Sequence, residues 1–302
     1  MNKNYVLENI RDFHLNQVLE CGQCFRYARI DNGLNPGEYE YEIVAKDRIL
    51  HIKEEPSDDG VTLIFYNTED WEYQTIWKDY FDLERDYSEI KYHIIQADPR
   101  LEDIITENSG IRILNQDFFE TLISFIISQN KQIPQIKQVV NNLSAELGNK
   151  FDVTMIDRLS SEFDAFFPTA DQIVNATEEE IRKSKCGFRA PYIKDAAIKV
   201  ASGEITGDTL SRMDDDSAKE LLMTIHGVGE KVASCVMLFG LGRRSSFPVD
   251  VWMKRICEYL YYDEVDTPKS VIEEDARKRF GKYAGYAQQY LFMYGQSHRI
   301  GR

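Results

Sequence analysis

The sequence has 302 residues, of which 43% are hydrophobic and 29% are charged, so it contains enough apolar side chains for one large or two to three small globular domains. No run of about 18 apolar residues occurs, and residues 1–15 lack the apolar segment of a secretory signal; we therefore expect neither a membrane-spanning nor a secreted protein. The formal net charge of −15 argues against unspecific nucleic-acid binding by the chain as a whole.

The cysteine pattern favours a reducing compartment. The chain has five cysteines, an odd number, and they are scattered, which is not typical of a disulfide framework. Cys21 and Cys24 form a C-x-x-C pair with no second pair and no neighbouring histidine pair. We therefore predict no zinc site and no other bound metal in the chemistry.

Antiparallel strands are predicted in the N-terminal third. Residues 39–55 and 60–69 are rich in β-branched and aromatic side chains and alternate in part between apolar and polar. The sequences NPGEY and PSDDG supply turn signals before and between these segments. We predict an antiparallel β domain at residues 1–105.

The remainder of the chain has a helical pattern, in which apolar residues recur at the spacing of one helix face. The predicted helices fall at 116–129, 133–148, 177–185, 191–202, 215–225, 231–241, 251–262 and 283–297. The predicted fold class is therefore α+β, with the N-terminal antiparallel sheet domain followed by a helical body at residues 106–302.

A Gly-x-Gly turn at residues 227–229 lies between two of these helices, and the helix–turn–helix unit spans about residues 217–241. Gly227 and Gly229 allow positive φ and close backbone approach, and the first N–H groups of the next helix point out of the turn, so the segment 227–229 with Val228 is suited to hold a phosphate. A cation at a helix start is disfavoured by the helix dipole unless it has a partner or a function. Lys231 is therefore a candidate functional residue.

A carboxylate follows in the same region. Pro248 and Asp250 precede the predicted helix at 251–262, where an aspartate is a favourable N-cap. Asp250 is separated from Lys231 by one helix and one loop, so we expect the two side chains to meet in one groove. Residues 181–255 around them hold thirteen Lys or Arg against nine Asp or Glu, a local excess of basic side chains.

The segments LLMTIHGVGEKVASCVMLFGL and FPVDVW together resemble the helix-hairpin-helix and Gly/Pro…Asp signature of the base-excision DNA glycosylase superfamily. Motifs in the family's order further resemble its 8-oxoguanine DNA glycosylase branch: CGQCFRY at 21–27, ISQNKQI at 127–133, CGFRAPY at 186–192, KVASC at 231–235 and GYAQQYLF at 285–292. The branch of the superfamily that carries an iron–sulfur cluster has four closely spaced cysteines near its C-terminus. The last cysteine here is Cys257, so no cluster is expected.

The resemblance implies a bifunctional DNA glycosylase and AP lyase that excises 8-oxoguanine from duplex DNA. Lys231 would attack the sugar carbon that bears the base and form a Schiff base, and Asp250 would stabilise the positive charge that develops on the sugar. Gly22 would offer its backbone carbonyl to the ring nitrogen that is protonated in 8-oxoguanine but not in guanine. Cys235 and Phe292 would sandwich the base.

Further roles follow from the same resemblance. Gln288 would bind the Watson–Crick edge of the base, and Asn130 would fill the space left by the flipped nucleotide. Phe188 and Arg189 would pack beside Asn130 and against the orphaned base, which is the base of the opposite strand that has lost its pairing partner. The remaining recognition residue is Gln135. Eukaryotic members have an arginine at this position that contacts the cytosine opposite the lesion, so the preference of this chain for the base opposite 8-oxoguanine stays open.

Two more departures from the family pattern are visible. Trp252 stands where eukaryotic members have a histidine near a phosphate, and Phe188 replaces a tyrosine. The hairpin amides of Gly227, Val228 and Gly229, together with a structural monovalent or divalent cation, would grip a phosphate; no other cofactor is expected. The expected partner is double-stranded DNA containing 8-oxoguanine, bound by a monomer in the cytoplasm of a prokaryote, in association with the nucleoid.

Two other functions stay open from the sequence. An alkylpurine-type DNA glycosylase of the same superfamily keeps the aspartate but uses water in place of the lysine. A non-catalytic helix-hairpin-helix module would bind DNA without needing Lys231 and Asp250 together.

Overall fold

A computed structural model describes residues 4–31, 33–152, 162–298 and 300 of the chain. Its described part contains an N-terminal antiparallel sheet followed by a helical body, which confirms the predicted fold class. Among the described helices, none has the length and apolar character needed to span a bilayer.

The sheet has five strands in the order β1-β5-β4-β3-β2, and each neighbouring pair is antiparallel. The strands are β1 Tyr5–Ile10, β2 Tyr27–Arg29, β3 Tyr39–Ala45, β4 Arg48–Ser57 and β5 Gly60–Tyr66. The register pairs Tyr41 with Ile52 and Ile52 with Phe65, and all three side chains are buried. The alternating residues of 39–55 and 60–69 therefore fold as predicted, with one face of the sheet in its own core.

The helical body accounts for most of the rest of the described chain. Its principal helices are α6 Phe118–Ser128, α7 Ile133–Leu147, α8 Ala170–Asn175, α9 Glu178–Lys183, α10 Ala190–Ala201, α11 Gly207–Ser211, α12 Asp215–Met223, α13 Glu230–Cys235, α14 Val251–Tyr261, α15 Lys269–Phe280 and α16 Ala284–Ser297. All eight helices predicted from apolar spacing are present. The apolar run after α13 continues as a π-helical turn, Val236–Gly240.

Helices also occur within the segment that was predicted to be a sheet domain. They are α1 Leu15–Glu20, α2 Asp70–Glu72, the π-helical Tyr73–Trp77, α3 Lys78–Tyr80, α4 Tyr87–Ala97 and α5 Glu102–Glu107. In α4 the buried residues Tyr87, Ile90 and Ile94 follow helical spacing and pack in the core of the helical body, not in that of the sheet. The domain boundary at residue 105 stays a prediction, and these contacts favour placing α4 and α5 with the helical body.

Two central helices of the body position the site. Helix α6 is buried over Thr121–Ser128, and its Phe125 stacks on Phe239 of the π-helical turn, with 5.4 Å between ring centroids. The end of α6 is thereby fixed beside α13, which precedes that turn. The first turn of α13 thus faces the α6–α7 connection, where Asn130 lies.

Candidate active site

One cavity of about 870 Å³ opens between the sheet domain and the helical body. Six residues predicted from the sequence line it: Gly22, Lys231, Cys235, Asp250, Gln288 and Phe292. They come from four separate parts of the chain, namely the turn after α1, helix α13, the start of α14 and helix α16. The fold therefore brings the predicted nucleophile, carboxylate and base-contacting residues to one place.

Lys231 projects into this cavity from the first turn of α13. Its Nζ donates to Ser128 Oγ at 3.0 Å and lies 5.1 Å from the centroid of the Phe125 ring. Ser128 Oγ itself donates to the Phe125 carbonyl at 2.7 Å, so its single proton is used and its oxygen accepts from the lysine. The amine is held by a hydroxyl and an aromatic face, both of which belong to the last turns of α6.

Asp250 is the N-cap of α14, as predicted. Its Oδ1 accepts a hydrogen bond from the Met253 backbone N–H at 2.7 Å, and its backbone is extended. This bond satisfies one of the free N–H groups at the helix start and fixes the carboxylate. The carboxylate is half-buried at the wall of the same cavity as Lys231.

Cys235 on α13 and Phe292 on α16 both line the cavity. Burial raises the pKa of the Cys235 thiol to about 11; the nearby Lys231 lowers it in part and Asp250 raises it. The thiol is therefore protonated at neutral pH and presents a neutral, polarizable surface. Gly22, at φ +77°, lies against Phe292: a Cβ at this glycine would be 3.1 Å from Phe292 Cε1 and 3.3 Å from Ile133 Cδ1.

Three aromatic rings in the cavity wall were missed by the sequence analysis. Phe25 meets Phe125 edge to face at 5.6 Å between centroids, and Phe125 stacks in turn on Phe239. Ser128, the partner of the lysine, was missed as well. Ser128 lies two residues before Asn130 in the ISQNKQI motif, and that position was the one signal that could have indicated it.

The predicted DNA-contacting residues lie outside the cavity lining. Asn130 is exposed in the turn between α6 and α7 and has φ +52°, a left-handed conformation that asparagine tolerates. Gln135 is exposed in the first turn of α7, where its Oε1 accepts from the Gln132 backbone N–H at 3.1 Å. Its amide therefore already takes part in the cap of α7.

Phe188 and Arg189 differ in exposure. The Phe188 ring is 53% exposed, whereas Arg189 is buried, and its guanidinium lies 4.3 Å from the centroid of the Phe188 ring. Arg189 Nη1 donates to the Cys186 carbonyl at 3.1 Å and Nη2 donates to the Gln129 carbonyl. Burial lowers the pKa of Arg189. Arg189 thus connects the turn of Phe188 to the residue before Asn130.

The hairpin between α12 and α13 requires one of its two glycines. Gly227 has φ +80°, and a Cβ there would lie 2.3 Å from the ring of Tyr192. Gly229 has φ −102°, so it does not use the positive φ that a glycine allows, and a Cβ there would meet no atom within 4 Å. The Val228 N–H already donates to the Ile225 carbonyl at 3.0 Å. The amides of Gly227 and Gly229 have no acceptor within the described part of the chain.

The rim of the cavity carries Trp252, which is 43% exposed. The guanidinium of Arg255 lies over its ring at 5.5 Å. An aromatic ring and a cation therefore line the cavity together with Asp250.

Comparison with known proteins places this geometry in a family. Residues 5–122 match the family model described as the 8-oxoguanine DNA glycosylase N-terminal domain, and residues 123–282 match that of the HhH-GPD superfamily of base excision DNA repair proteins. The chain is 30% identical to the N-glycosylase/DNA lyase OGG1 of Arabidopsis thaliana, over 90% of this chain and 74% of the relative.

Two solved structures have a similar fold over nearly the whole chain. MBOgg1, in complex with a low-affinity DNA ligand, is 42% identical with a TM-score of 0.88, covering 98% of this chain and 96% of that one. The Clostridium acetobutylicum 8-oxoguanine glycosylase/lyase, bound to duplex DNA with cytosine opposite 8-oxoguanine, is 35% identical with a TM-score of 0.87, covering 99% of each. The chain therefore belongs to the 8-oxoguanine DNA glycosylase family, within the helix-hairpin-helix superfamily of base excision repair proteins.

Proposed function

We propose that Lys231 is the nucleophile, and Asp250 its electrostatic partner, in the reaction of this enzyme. The enzyme is a bifunctional DNA glycosylase and AP lyase, and it excises 8-oxoguanine from double-stranded DNA. The observation that carries the residue assignment is that a lysine amine and a carboxylate line one cavity with the side chains suited to hold a flat base.

The first chemical step is displacement of the base. The neutral Lys231 amine attacks the sugar carbon C1′, the glycosidic bond breaks, and its electron pair leaves with 8-oxoguanine, which takes up a proton. Positive charge develops on the sugar as this bond breaks. Asp250, which the helix cap holds in place, stabilises that charge and orients the amine; its cap hydrogen bond makes it better suited to this than to proton removal.

The second step cleaves the strand. Once the attached amine has lost one proton, its lone pair forms the C1′=N bond as the C1′–O4′ bond breaks. O4′ takes up a proton from solvent, the sugar ring is open, and a protonated Schiff base links Lys231 to C1′. Loss of a proton from C2′ then allows the bond from C3′ to the phosphate oxygen to break by β-elimination. One residue thereby accounts for both base release and strand nicking. Ser128 holds the amine at the cavity wall before the substrate arrives.

Recognition of the lesion uses the backbone of Gly22. 8-Oxoguanine carries an N–H at the ring nitrogen next to the oxidised carbon, where guanine has an acceptor. A backbone carbonyl at that point attracts the lesion and repels guanine. The close approach of Gly22 to Phe292 supports this role, since a side chain at residue 22 would crowd Phe292, the residue proposed to stack on the base. Cys235 and Phe292 contact the two faces of the base.

The hairpin would hold a phosphate of the damaged strand through the amides of Gly227 and Gly229 and the start of α13. Val228 contributes its buried side chain rather than its N–H. Asn130 and Phe188 would face the gap in the duplex and the orphaned base. Arg189 is buried and bonded to the Cys186 and Gln129 carbonyls, so it would hold the turns of these two residues in place and not contact the base itself.

A structural cation at the hairpin remains part of the proposal, and no reaction step depends on it. The Lys199 ammonium already donates to the Thr224 carbonyl at 2.6 Å at the end of α12, so one protein cation lies there. The location in a prokaryotic cytoplasm and the monomeric state stay predictions; the relatives include a plant protein.

The experiment that tests the assignment is Lys231→Gln in a glycosylase assay on a duplex containing 8-oxoguanine. We expect base release and strand cleavage to be lost while binding to lesion DNA is retained. Lys269→Gln, which removes an exposed lysine at the start of α15, is the matched control and should keep both activities. Wild-type excision by Lys231→Gln would refute the nucleophile. It would return the mechanism to water attack, as in the alkylpurine-type alternative.

A further inference from the structure

The cavity contains a second glutamine that the sequence motif does not explain. Gln289 lies next to Gln288 on α16, and both side chains line the cavity although they are only 2% and 5% exposed. Two adjacent helical residues normally point in different directions. Here the side chains of Gln288 and Gln289 nevertheless both line the cavity.

The two amides are hydrogen-bonded to each other. Gln289 Nε2 donates to Gln288 Oε1 at 2.7 Å, whereas the contact of Gln288 Nε2 with the Pro248 carbonyl is long, at 3.5 Å. The Gln289 bond is therefore the stronger restraint on the orientation of the Gln288 amide. It favours the orientation in which the amide oxygen of Gln288 faces Gln289.

Gln289 gains no other polar contact from its burial. Its Oε1 is buried and has no hydrogen-bond partner within the described part of the chain. A buried polar atom without a partner destabilises the fold, and native structures contain few of them. A glutamine whose one polar partner is the adjacent cavity residue is thus poorly explained by stability.

The orientation of a single amide decides which purine edge it binds. The guanine edge offers the O6 acceptor and the N1–H donor, so it needs the amide nitrogen at position 6 and the amide oxygen at position 1. The adenine edge offers a donor at position 6 and an acceptor at N1, so it needs the same amide reversed. An amide free to rotate about its last bond would accept both edges.

We propose that Gln289 is a positioning residue that holds the Gln288 amide in one orientation and thereby sets the preference of the cavity for an oxidised guanine over an oxidised adenine. This rests on the proposed role of Gln288 in base recognition. Gln289 itself touches Gln288 and takes no part in bond breaking.

The test compares single-turnover excision of 8-oxoguanine and of 8-oxoadenine, each opposite cytosine, by the full-length enzyme. Gln289→Met keeps the size of the side chain and removes its amide. We expect the ratio of the two rates to fall roughly five- to tenfold, the effect of one ordinary hydrogen bond. In a Gln288→Met background the same substitution should change the ratio no further, because Gln289 acts only through Gln288.

Tyr290→Phe is the matched control. Tyr290 is the next residue on α16, is buried and does not line the cavity, and its hydroxyl has no hydrogen-bond partner among the described residues. It should leave the ratio unchanged. If Gln289→Met does not fold, Gln289→Ala removes the same hydrogen bond and gives the same comparison.

The outcomes separate this proposal from the one it rests on. If Gln288→Met lowers the ratio of the 8-oxoguanine rate to the 8-oxoadenine rate and Gln289→Met leaves this ratio unchanged, the positioning role of Gln289 is wrong and the recognition role of Gln288 stands. If Gln288→Met leaves the ratio unchanged, the recognition role of Gln288 has failed. A loss of activity in Gln289→Met that is equal for both bases would also overturn the positioning role, because it would reflect structure alone.

Discussion

The two hairpin glycines offer a matched pair of substitutions that separates folding from DNA binding. In Gly227→Ala the new residue would have to adopt φ +80°, a left-handed conformation that costs about 1–2 kcal/mol. Its Cβ would also lie 2.3 to 2.7 Å from three ring carbons of Tyr192, and relieving such an overlap costs about 1–3 kcal/mol. The unfolding free energy should therefore fall by about 2–5 kcal/mol.

Gly229→Ala should behave in the opposite way. Its φ of −102° suits alanine and its Cβ would meet no protein atom within 4 Å, so stability should change by no more than about 1 kcal/mol, the effect of a poorer N-cap. A methyl group there would occupy the place of the phosphate. Losing one hydrogen bond to a charged group, worth about 1.5–3 kcal/mol, predicts roughly 10- to 150-fold weaker binding to lesion DNA.

The assay for this pair is urea denaturation together with fluorescence anisotropy of a labelled duplex at one fixed salt concentration. The expected pattern is a stability loss in Gly227→Ala and an affinity loss with intact stability in Gly229→Ala. Wild-type affinity in Gly229→Ala would refute the proposal that the hairpin backbone holds a phosphate.

Asp250→Asn should slow base release by roughly 10²–10³-fold with little change in stability, because asparagine caps a helix about as well as aspartate; a folded, fully active variant would make Asp250 structural only. Gln135 caps α7, and its amide offers one donor group and one acceptor where an arginine offers two parallel donor groups, so excision rates should differ little among the four opposing bases in single-turnover assays on four duplexes. Gln135→Arg should gain a cytosine preference of roughly tenfold, and a strong cytosine preference in the wild type would contradict this. Burial raises the pKa of Glu120 from 4.5 to about 7, so folding favours the protonated carboxyl. The free energy of unfolding is therefore highest below the unfolded pKa and falls by up to roughly 3 kcal/mol as the pH rises through 7. Glu120→Gln should therefore be more stable than the wild type at pH 8 and remove this dependence in urea titrations at pH 5 and 8, and the exposed control Glu102→Gln should leave it in place.

The elements that could be predicted from the sequence are those whose periodicity is local. Alternation at 39–55 and 60–69 defined the central strands, and the spacing of apolar residues defined eight of the helices after residue 115 but missed α8, α11 and α15. The helices between residues 70 and 107 were missed, although Tyr87, Ile90 and Ile94 carry a helical pattern, because this segment was treated as one with the preceding strands.

The site was predictable to the extent that it lies in short motifs. Lys231, Asp250 and Gln288 stand in such motifs, and the structure brings them to one cavity. Ser128 and Phe125 could not be assigned from spacing, because a buried serine and phenylalanine near a helix end are ordinary core residues until the packing of α6 against α13 brings them to the lysine. The hydrogen bonds of Gln135 and the φ of Gly229 likewise depend on backbone geometry that residue type alone does not fix.

The central claim is that Lys231 forms a covalent bond with the sugar of the lesion. Its most direct test is borohydride reduction of the wild-type enzyme on a duplex containing 8-oxoguanine, followed by peptide mapping of the cross-linked residue. We expect a stable protein–DNA adduct at residue 231 in the wild type, none in Lys231→Gln, and none of comparable yield on a duplex with unmodified guanine. An adduct that persists in Lys231→Gln, or base release by the wild type with no adduct, would contradict it.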